Sequence, residues 1–228
     1  MRVFLIYLIK KGDNMDKLYL EVPTVARKNE AYEFIQEFLD NNSSINGSGS
    51  LHRYVNKEKN NYGEWLEKLE EDYVRIPDEN KVPSRTFFLI RESDNKIIGM
   101  INIRLVLNER LKKFGGNIGY GIRPSERGKG YNKINLYLGL KICNEYGIDN
   151  VLLDADLNNP ASWKTMEALG GIRVREYYDD INAHCTVVDY NIDVSEALNN
   201  YLFYENYISE ENEKTLNIIT QTKYKLKK

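Results

Sequence analysis

From Gly119 to Asn132 the chain reads Gly-Tyr-Gly-Ile-Arg-Pro-Ser-Glu-Arg-Gly-Lys-Gly-Tyr-Asn, and no other stretch restricts the fold as much. The residues leading into it suit a strand. The apolar spacing after it, from about Tyr131 to Tyr146, suits a helix stopped by Gly147. A strand that passes through a glycine-bearing turn into a helix aims successive backbone N–H groups at one place. The helix N-terminus adds roughly half a positive charge there. Such a turn is an anion site suited to a diphosphate. Gly128 and Gly130 permit the unusual dihedrals and the close backbone approach that it requires.

Two other phosphate patterns are excluded. A Walker loop needs four residues between its first glycine and Gly-Lys-Ser/Thr, but six separate Gly121 from Gly128-Lys129, and Gly130 replaces the hydroxyl residue. The dinucleotide GxGxxG pattern is absent as well.

The rest of the chain predicts an α/β architecture. Leu18 to Val22 reads as a strand. A helix follows with Ala31, Phe34, Ile35, Phe38 and Leu39 on one face. Asn41 to Ser50, rich in Asn, Ser and Gly, is a loop. A second helix carries Tyr62, Trp65, Leu66, Leu69 and Tyr73. Strands are expected at 86–90, 96–105, 117–122 and from Val151. Asn159 caps a helix with Pro160 at its first position, and Gly170-Gly171 ends it. Strands at 172–178 and 185–192 close the order β, α, α, β, β, β, α, β, α, β, β. Residues 195–228, where the pattern loosens, predict a mobile and partly helical tail.

Composition narrows the function classes. Lys and Arg number 32 against 34 Asp and Glu, a net charge of -2, so no electrostatic argument favours nucleic acid or an anionic membrane as partner. No apolar run reaches the ~20 residues of a membrane span. Cys143 and Cys185 form no CxxC pair, and His52 and His184 complete no zinc spacing, so no metal site is expected. Both cysteines are read as buried thiols in a reducing, cytoplasmic setting. Residues 1–14 end in Lys11-Gly12-Asp13-Asn14 before Met15. Gly-Asp can be encoded by a ribosome-binding sequence, which would make Met15 the start; the alternative is an ordinary strand extension.

A family resemblance enters on two segments. Arg127-Gly128-Lys129-Gly130-Tyr131-Asn132 resembles the acyl-CoA-binding Q/R-x-x-G-x-G/A motif of the GNAT acetyltransferases, with Asn132 at the final position in place of Gly or Ala. Asn159-Pro160-Ala161-Ser162, followed by Gly170-Gly171, resembles the second signature of that family. The resemblance spans about Met15 to Val194 and is strongest to a bacterial subgroup of predicted acetyltransferases. It implies a GNAT acyl-CoA N-acyltransferase fold, with a mixed, mostly antiparallel sheet of six to seven strands flanked by helices. Acetyl-CoA would be the co-substrate, and the amine of a small molecule or peptide the acceptor. Backbone N–H groups of Gly128, Lys129, Gly130, Tyr131 and Asn132 would hold the pyrophosphate next to Arg127. Main chain at Ile122 and Arg123 would pair with the pantetheine arm. Lys129 and Lys133 would reach the outer phosphates, and Asn159 would touch the cofactor or fix a splayed strand. Many members carry a tyrosine on the helix after the second signature, as acid for the leaving thiolate; Met166 stands there.

The expected reaction is direct attack of an amine on the thioester. A backbone N–H near Tyr120 would meet the oxyanion, with Gly119 and Gly121 either shaping a bulge there or relieving packing. Asp156 and Glu176 are candidate bases or plain surface carboxylates. Tyr178 is a candidate substitute acid or an ordinary sheet tyrosine, and Ser162 a cap or packing residue. The aromatics between Leu51 and Tyr73 form either an acceptor wall or helix core. A CoA-binding sensor without turnover is the second reading, and a partner-recruiting tail the third. Either a monomer or a homodimer fits.

Overall fold

The computed structural model describes residues 16–181 and 183–226. The proposed extension 1–14 and the start at Met15 lie outside them. Seven strands form: β1 Leu18–Glu21, β2 Ser84–Arg91, β3 Lys96–Arg104, β4 Ile118–Ile122, β5 Asn150–Asp156, β6 Ile172–Asp179 and β7 Cys185–Asp193. Helices α1 Lys28–Asp40 and α2 Tyr62–Val74 precede β2, a short α3 Glu109–Lys113 fills the link before β4, and α4 Tyr131–Glu145 and α5 Pro160–Glu167 follow.

One sheet was expected, and two are found. β1-β2-β3-β4 is one and β5-β7-β6 the other, with every ladder antiparallel. Where β4 and β5 meet, buried Asn117 ties them. Its N–H donates to the Leu152 carbonyl at 2.6 Å, and its Oδ1 accepts the Leu152 N–H at 2.9 Å. No ladder joins β4 to β5 beyond that point. An asparagine can satisfy both backbone groups of one residue and then let the strands part.

Alternation along the strands sorts the core into two layers. Phe88, Ile90, Ile97 and Met100 face α1 and α2, meeting Phe34, Phe38, Trp65 and Tyr62. Phe87, Leu89, Ile101, Ile103, Ile118 and Ile122 face α4. Helix α4 is buried on most of its circumference, with Leu136, Leu138, Leu140 and Ile142 fully enclosed. Tyr62 and Trp65 are therefore helix core, not an acceptor wall.

The register between β3 and β4 runs unbroken from Gly99–Ile122 to Ile103–Ile118, so the bulge considered at Gly119 and Gly121 is absent. The two glycines serve close approach instead. A Cβ on Gly121 would lie 2.9 Å from the Asn46 carbonyl oxygen, and one on Gly47 would lie 2.5 Å from the Gly119 carbonyl oxygen. The 41–50 loop thus rests directly on the β4 backbone.

The segment after Ser195 is packed, contrary to the expected mobile tail. Helices α6 Val194–Asn200 and α7 Asn212–Leu226 flank a 3-10 stretch, Leu202–Tyr207. Ala197, Tyr204 and Ile219 are buried in the α4 layer, and Glu205 receives Tyr137 Oη and Lys141 Nζ, each at 2.9 Å. The outward edge of β1 is covered as well. The Ser209 N–H donates to the Leu18 carbonyl at 2.9 Å, the Leu20 N–H to Asn212 Oδ1 at 3.0 Å, and Thr215 Oγ1 to the Leu20 carbonyl at 2.5 Å. Cys143 is buried as expected, but Cys185, which opens a strand near the β6–β7 turn, is only partly buried. Among the described residues no helix is long and apolar enough to cross a membrane.

Candidate active site

The strand β4, the turn after it, the start of α4 and the start of α5 enclose a cleft of about 480 Å³. Its floor carries Tyr120 and Ile122, one end carries Gly128, Gly130, Asn132 and Lys133, and α5 contributes Asn159, Ser162 and Thr165. Ser43, Ser44 and Asn46 of the 41–50 loop form the remaining wall.

The turn is built by a 3-10 stretch, Pro124–Glu126, followed by two glycines in the left-handed region, Gly128 at φ 79 and Gly130 at φ 84. Gly130 is the N-cap of α4. Neither glycine has a protein atom within 4 Å of where a Cβ would stand. The demand for glycine is therefore the dihedral and the open side, not internal packing. Among the described residues, no acceptor takes the backbone N–H of Gly128, Lys129, Gly130, Tyr131 or Asn132. Five successive donors without an acceptor thus stand at the positive end of a fifteen-residue helix.

The second set of free donors lies on β4. The Arg123 N–H donates to the Ile98 carbonyl at 2.9 Å, and the Asn117 carbonyl accepts the Arg104 N–H at 2.8 Å. Odd-numbered residues of β4 are thereby bonded to β3, and alternation turns the N–H groups of Tyr120 and Ile122 to the unpaired edge, beside the cleft.

Side chains hold this backbone in place. Arg127 folds back: its Nε donates to the Ile122 carbonyl at 3.0 Å, an Nη donates to Ser43 Oγ at 2.7 Å, and the guanidinium lies 5.3 Å from the Phe38 ring centre. Arg123 is buried and ion-paired through Nε to Glu37 Oε2 at 2.6 Å, while Glu37 Oε1 accepts the Ser125 N–H at 2.6 Å. Burial raises the Glu37 pKa, but the Ser125 and Arg123 donors outweigh it and hold the carboxylate below its ordinary value. Glu126, 4% exposed, receives Lys129 at 2.7 Å, Arg91 at 2.8 Å and Lys96 at 3.3 Å. Burial again acts upward, and the three cations override it, leaving a pKa of about 2. Lys129 is thus engaged by Glu126, whereas Lys133 lines the cleft with no ion pair among the described residues.

The side chain of Asn132 turns toward α5, where its Nδ2 donates to Thr165 Oγ1 at 3.4 Å and its buried Oδ1 has no partner. Asn159 caps α5, accepting the Ser162 N–H at 3.3 Å. The Tyr120 hydroxyl crosses from β4 to α5 and lies 3.0 Å from Ser162 Oγ and 3.2 Å from the Ser162 carbonyl. Burial pushes its pKa up, against a smaller downward pull from Ser162. Met166 is 1% exposed and belongs to the core.

Three candidates fall outside this cleft. Asp156 Oδ1 accepts the Asn158 N–H at 2.8 Å in a turn. Glu176 is exposed and pairs with Arg173. Tyr178 is 63% exposed, and its hydroxyl donates to the His184 carbonyl at 3.2 Å across the β6–β7 turn. None of the three lines the cleft. Conversely, sequence reasoning missed Glu37, Glu126 and the 43–47 loop, whose roles come from tertiary contact alone.

The sequence model of the Acetyltransferase (GNAT) family matches residues 51–171, more than half of the chain. No curated protein matches. Among solved structures, the dodecameric spermidine N-acetyltransferase from Vibrio cholerae in an intermediate state shares 16% identity with a TM-score of 0.55, covering 81% of this chain and 98% of its own. A putative ribosomal-protein-serine acetyltransferase from Vibrio cholerae shares 16% with a TM-score of 0.52, covering 78% and 94%. Identities this low speak for a shared fold. The family match, on a fold whose splayed strands and N–H-lined turn are of this kind, makes the chain a member of the GNAT family and an acetyl-CoA-dependent acetyltransferase.

Proposed function

We propose that the chain transfers an acetyl group from acetyl-CoA to a primary amine of a small molecule or peptide, by direct attack within a ternary complex. One observation carries this reading: Gly128, Gly130, Tyr131 and Asn132, whose N–H groups have no acceptor among the described residues, line the same cleft as Ile122 and Tyr120, whose N–H groups turn to the unpaired edge of β4. The turn would take the diphosphate, where a Cβ on Gly128 or Gly130 would otherwise stand. The ammonium of Lys133 would meet an outer phosphate, and Lys129 could do so only by leaving Glu126. The Ile122 N–H would pair with an amide of the pantetheine arm, a role closed to Arg123, whose main chain is bonded within the protein. The Tyr120 N–H would face the thioester oxygen, where a fixed dipole stabilises developing charge. Asn159 shapes the wall as the cap of α5.

An alkylammonium, with a pKa near ~10.4, must lose a proton before it attacks. Asp156 and Glu176 lie off the cleft and are not assigned that task. A cytoplasmic setting, supported by two unpaired cysteines, belongs to the same proposal. Titration calorimetry with CoA, followed by thiol release from acetyl-CoA with a panel of amines that includes spermidine, tests it. Binding with release on at least one amine is expected. Absence of CoA binding overturns the reading, and binding without release on any amine leaves a sensor in its place.

A further inference from the structure

A second cavity, of about 500 Å³, opens beside α2 and shares no lining residue with the cleft described above. The 41–50 loop touches both: Ser43, Ser44 and Asn46 wall the cleft, and Ser50 walls the second cavity. The charges inside this cavity do not cancel. Asp72, 8% exposed, is the one buried carboxylate of its lining, and it already pairs with both Lys68 and Arg75, the latter at 3.1 Å. Arg75 keeps a buried Nε with no acceptor among the described residues. Arg104, partly buried, donates to the Gly115 and Gly116 carbonyls at 2.5 and 2.7 Å and has no ion pair among the described residues. Burial holds its pKa below the usual arginine value, against a smaller upward pull from Asp154. Three cations thus accompany one carboxylate, and an uncompensated charge away from water is costly. At the mouth the signs balance. Glu64, Glu67 and Glu71 of α2 are exposed, and so are Arg53, Lys81 and Arg110. Exposed charges are screened by salt, so the inner set decides which sign of ligand enters.

We propose that this cavity is a second ligand site, which takes the anionic oxygen group of a small molecule, a carboxylate or a phosphate, on Lys68, Arg75 and Arg104. The site stands whether or not the chain transfers acetyl groups. Guanidinium groups suit such a ligand, because their planar forks match two oxygens of a carboxylate or phosphate. Occupancy has a reporter within the protein. Lys68 Nζ donates to the Gly49 carbonyl at 3.1 Å, and Trp65 Nε1 donates to the same carbonyl at 3.0 Å. An anion that draws on Lys68 therefore changes the surroundings of the Trp65 indole. Trp163, the other tryptophan of the chain, donates to the Leu157 carbonyl at 3.0 Å and lines neither cavity.

Titrating the full chain with inorganic phosphate, and separately with succinate, at constant ionic strength tests this through the two indole N–H resonances. The expected result is a saturable shift of the Trp65 signal. Arg75→Gln should raise its midpoint about tenfold, the loss of one hydrogen bond to a charged group. Because that variant also weakens the hold on Asp72, a second one runs in the opposite direction. Glu67→Gln combined with Glu71→Gln removes repulsion at the mouth and should tighten binding about twofold, which damage to the fold would not do. The probe that binds more tightly identifies the group. Absence of a saturable Trp65 shift with both probes overturns the proposal, as does a midpoint that neither set of substitutions moves. A Trp65 shift that survives in Arg75→Gln but vanishes in Gly130→Val comes from the diphosphate turn and overturns it as well.

Discussion

Gly130→Val separates the two demands that the turn places on its glycines. Gly130 has φ 84, and no protein atom stands within 4 Å of a built Cβ. The substitution thus meets no steric term inside the protein, only the dihedral term. Holding an L-residue in the left-handed region costs roughly 1–2 kcal/mol. For a chain of this size that lowers Tm by roughly 2–8 °C. The binding effect is larger. The valine side chain would enter the open side of the turn, where Gly130 lines the cleft, and the loss of two hydrogen bonds to a charged oxygen is expected, at about 1.5 kcal/mol each. Three kcal/mol raises Kd for CoA by more than about 100-fold. Gly147→Val is the matched control: φ 70, open space at the Cβ, and a position at the other end of α4. It should lose a similar amount of stability and no affinity. Calorimetry with CoA and thermal denaturation of both variants decide the matter. Unchanged affinity in Gly130→Val, or an equal loss of affinity in Gly147→Val, refutes the diphosphate cradle.

Glu126 makes stability depend on acid. Its folded pKa of about 2 lies below the ordinary 4.5, so its contribution is full above pH 4.5 and disappears as pH falls toward 2. The shift corresponds to at most about 3 kcal/mol, reduced by screening at half-exposed Lys129. Urea midpoints between pH 6 and 3 should fall in the unaltered protein and stay flatter in Glu126→Gln, which starts lower. Gly121→Ala places a Cβ 2.9 Å from the Asn46 carbonyl oxygen and should lift the 43–47 loop from β4. Faster amide exchange across that loop, with weaker CoA binding, is expected. Tyr178→Phe should leave turnover unchanged and stability within about 0.5 kcal/mol, as befits an exposed sheet tyrosine.

Local signals in the sequence carried most of the fold. The Asn159-Pro160 start, the Gly170-Gly171 stop and the strand–turn–helix at Gly119 to Asn132 are statements about neighbours in the chain, and the structure keeps them. The glycine turn at 128–130 and the helix start after it were legible for that reason. What stayed illegible depends on residues distant in sequence. The parting of β4 from β5 is set by Asn117 against Leu152. The purpose of Gly119 and Gly121 is set by Asn46 and Gly47. Tyr120 gains a hydroxyl partner only because α5 brings Ser162 to it. Helix α7 was missed because its buried stripe mixes Asn212 and Thr215 with Leu216 and Ile219. Polar residues bonded to β1 break the apolar period by which an amphipathic helix is recognised.

That last arrangement orders events in time. Leu20 finds its outward hydrogen-bond partners 192 and 195 residues later. A ribosome adding 5–20 residues per second leaves this strand's flank bare for roughly 10–40 s. The edge of the sheet is thus sealed only once residues 209–215 have been made and have docked, and protection of the Leu20 amide reports on whether they have. Premature termination before Ser209 would release a nascent protein with an unsealed, pairing-competent border.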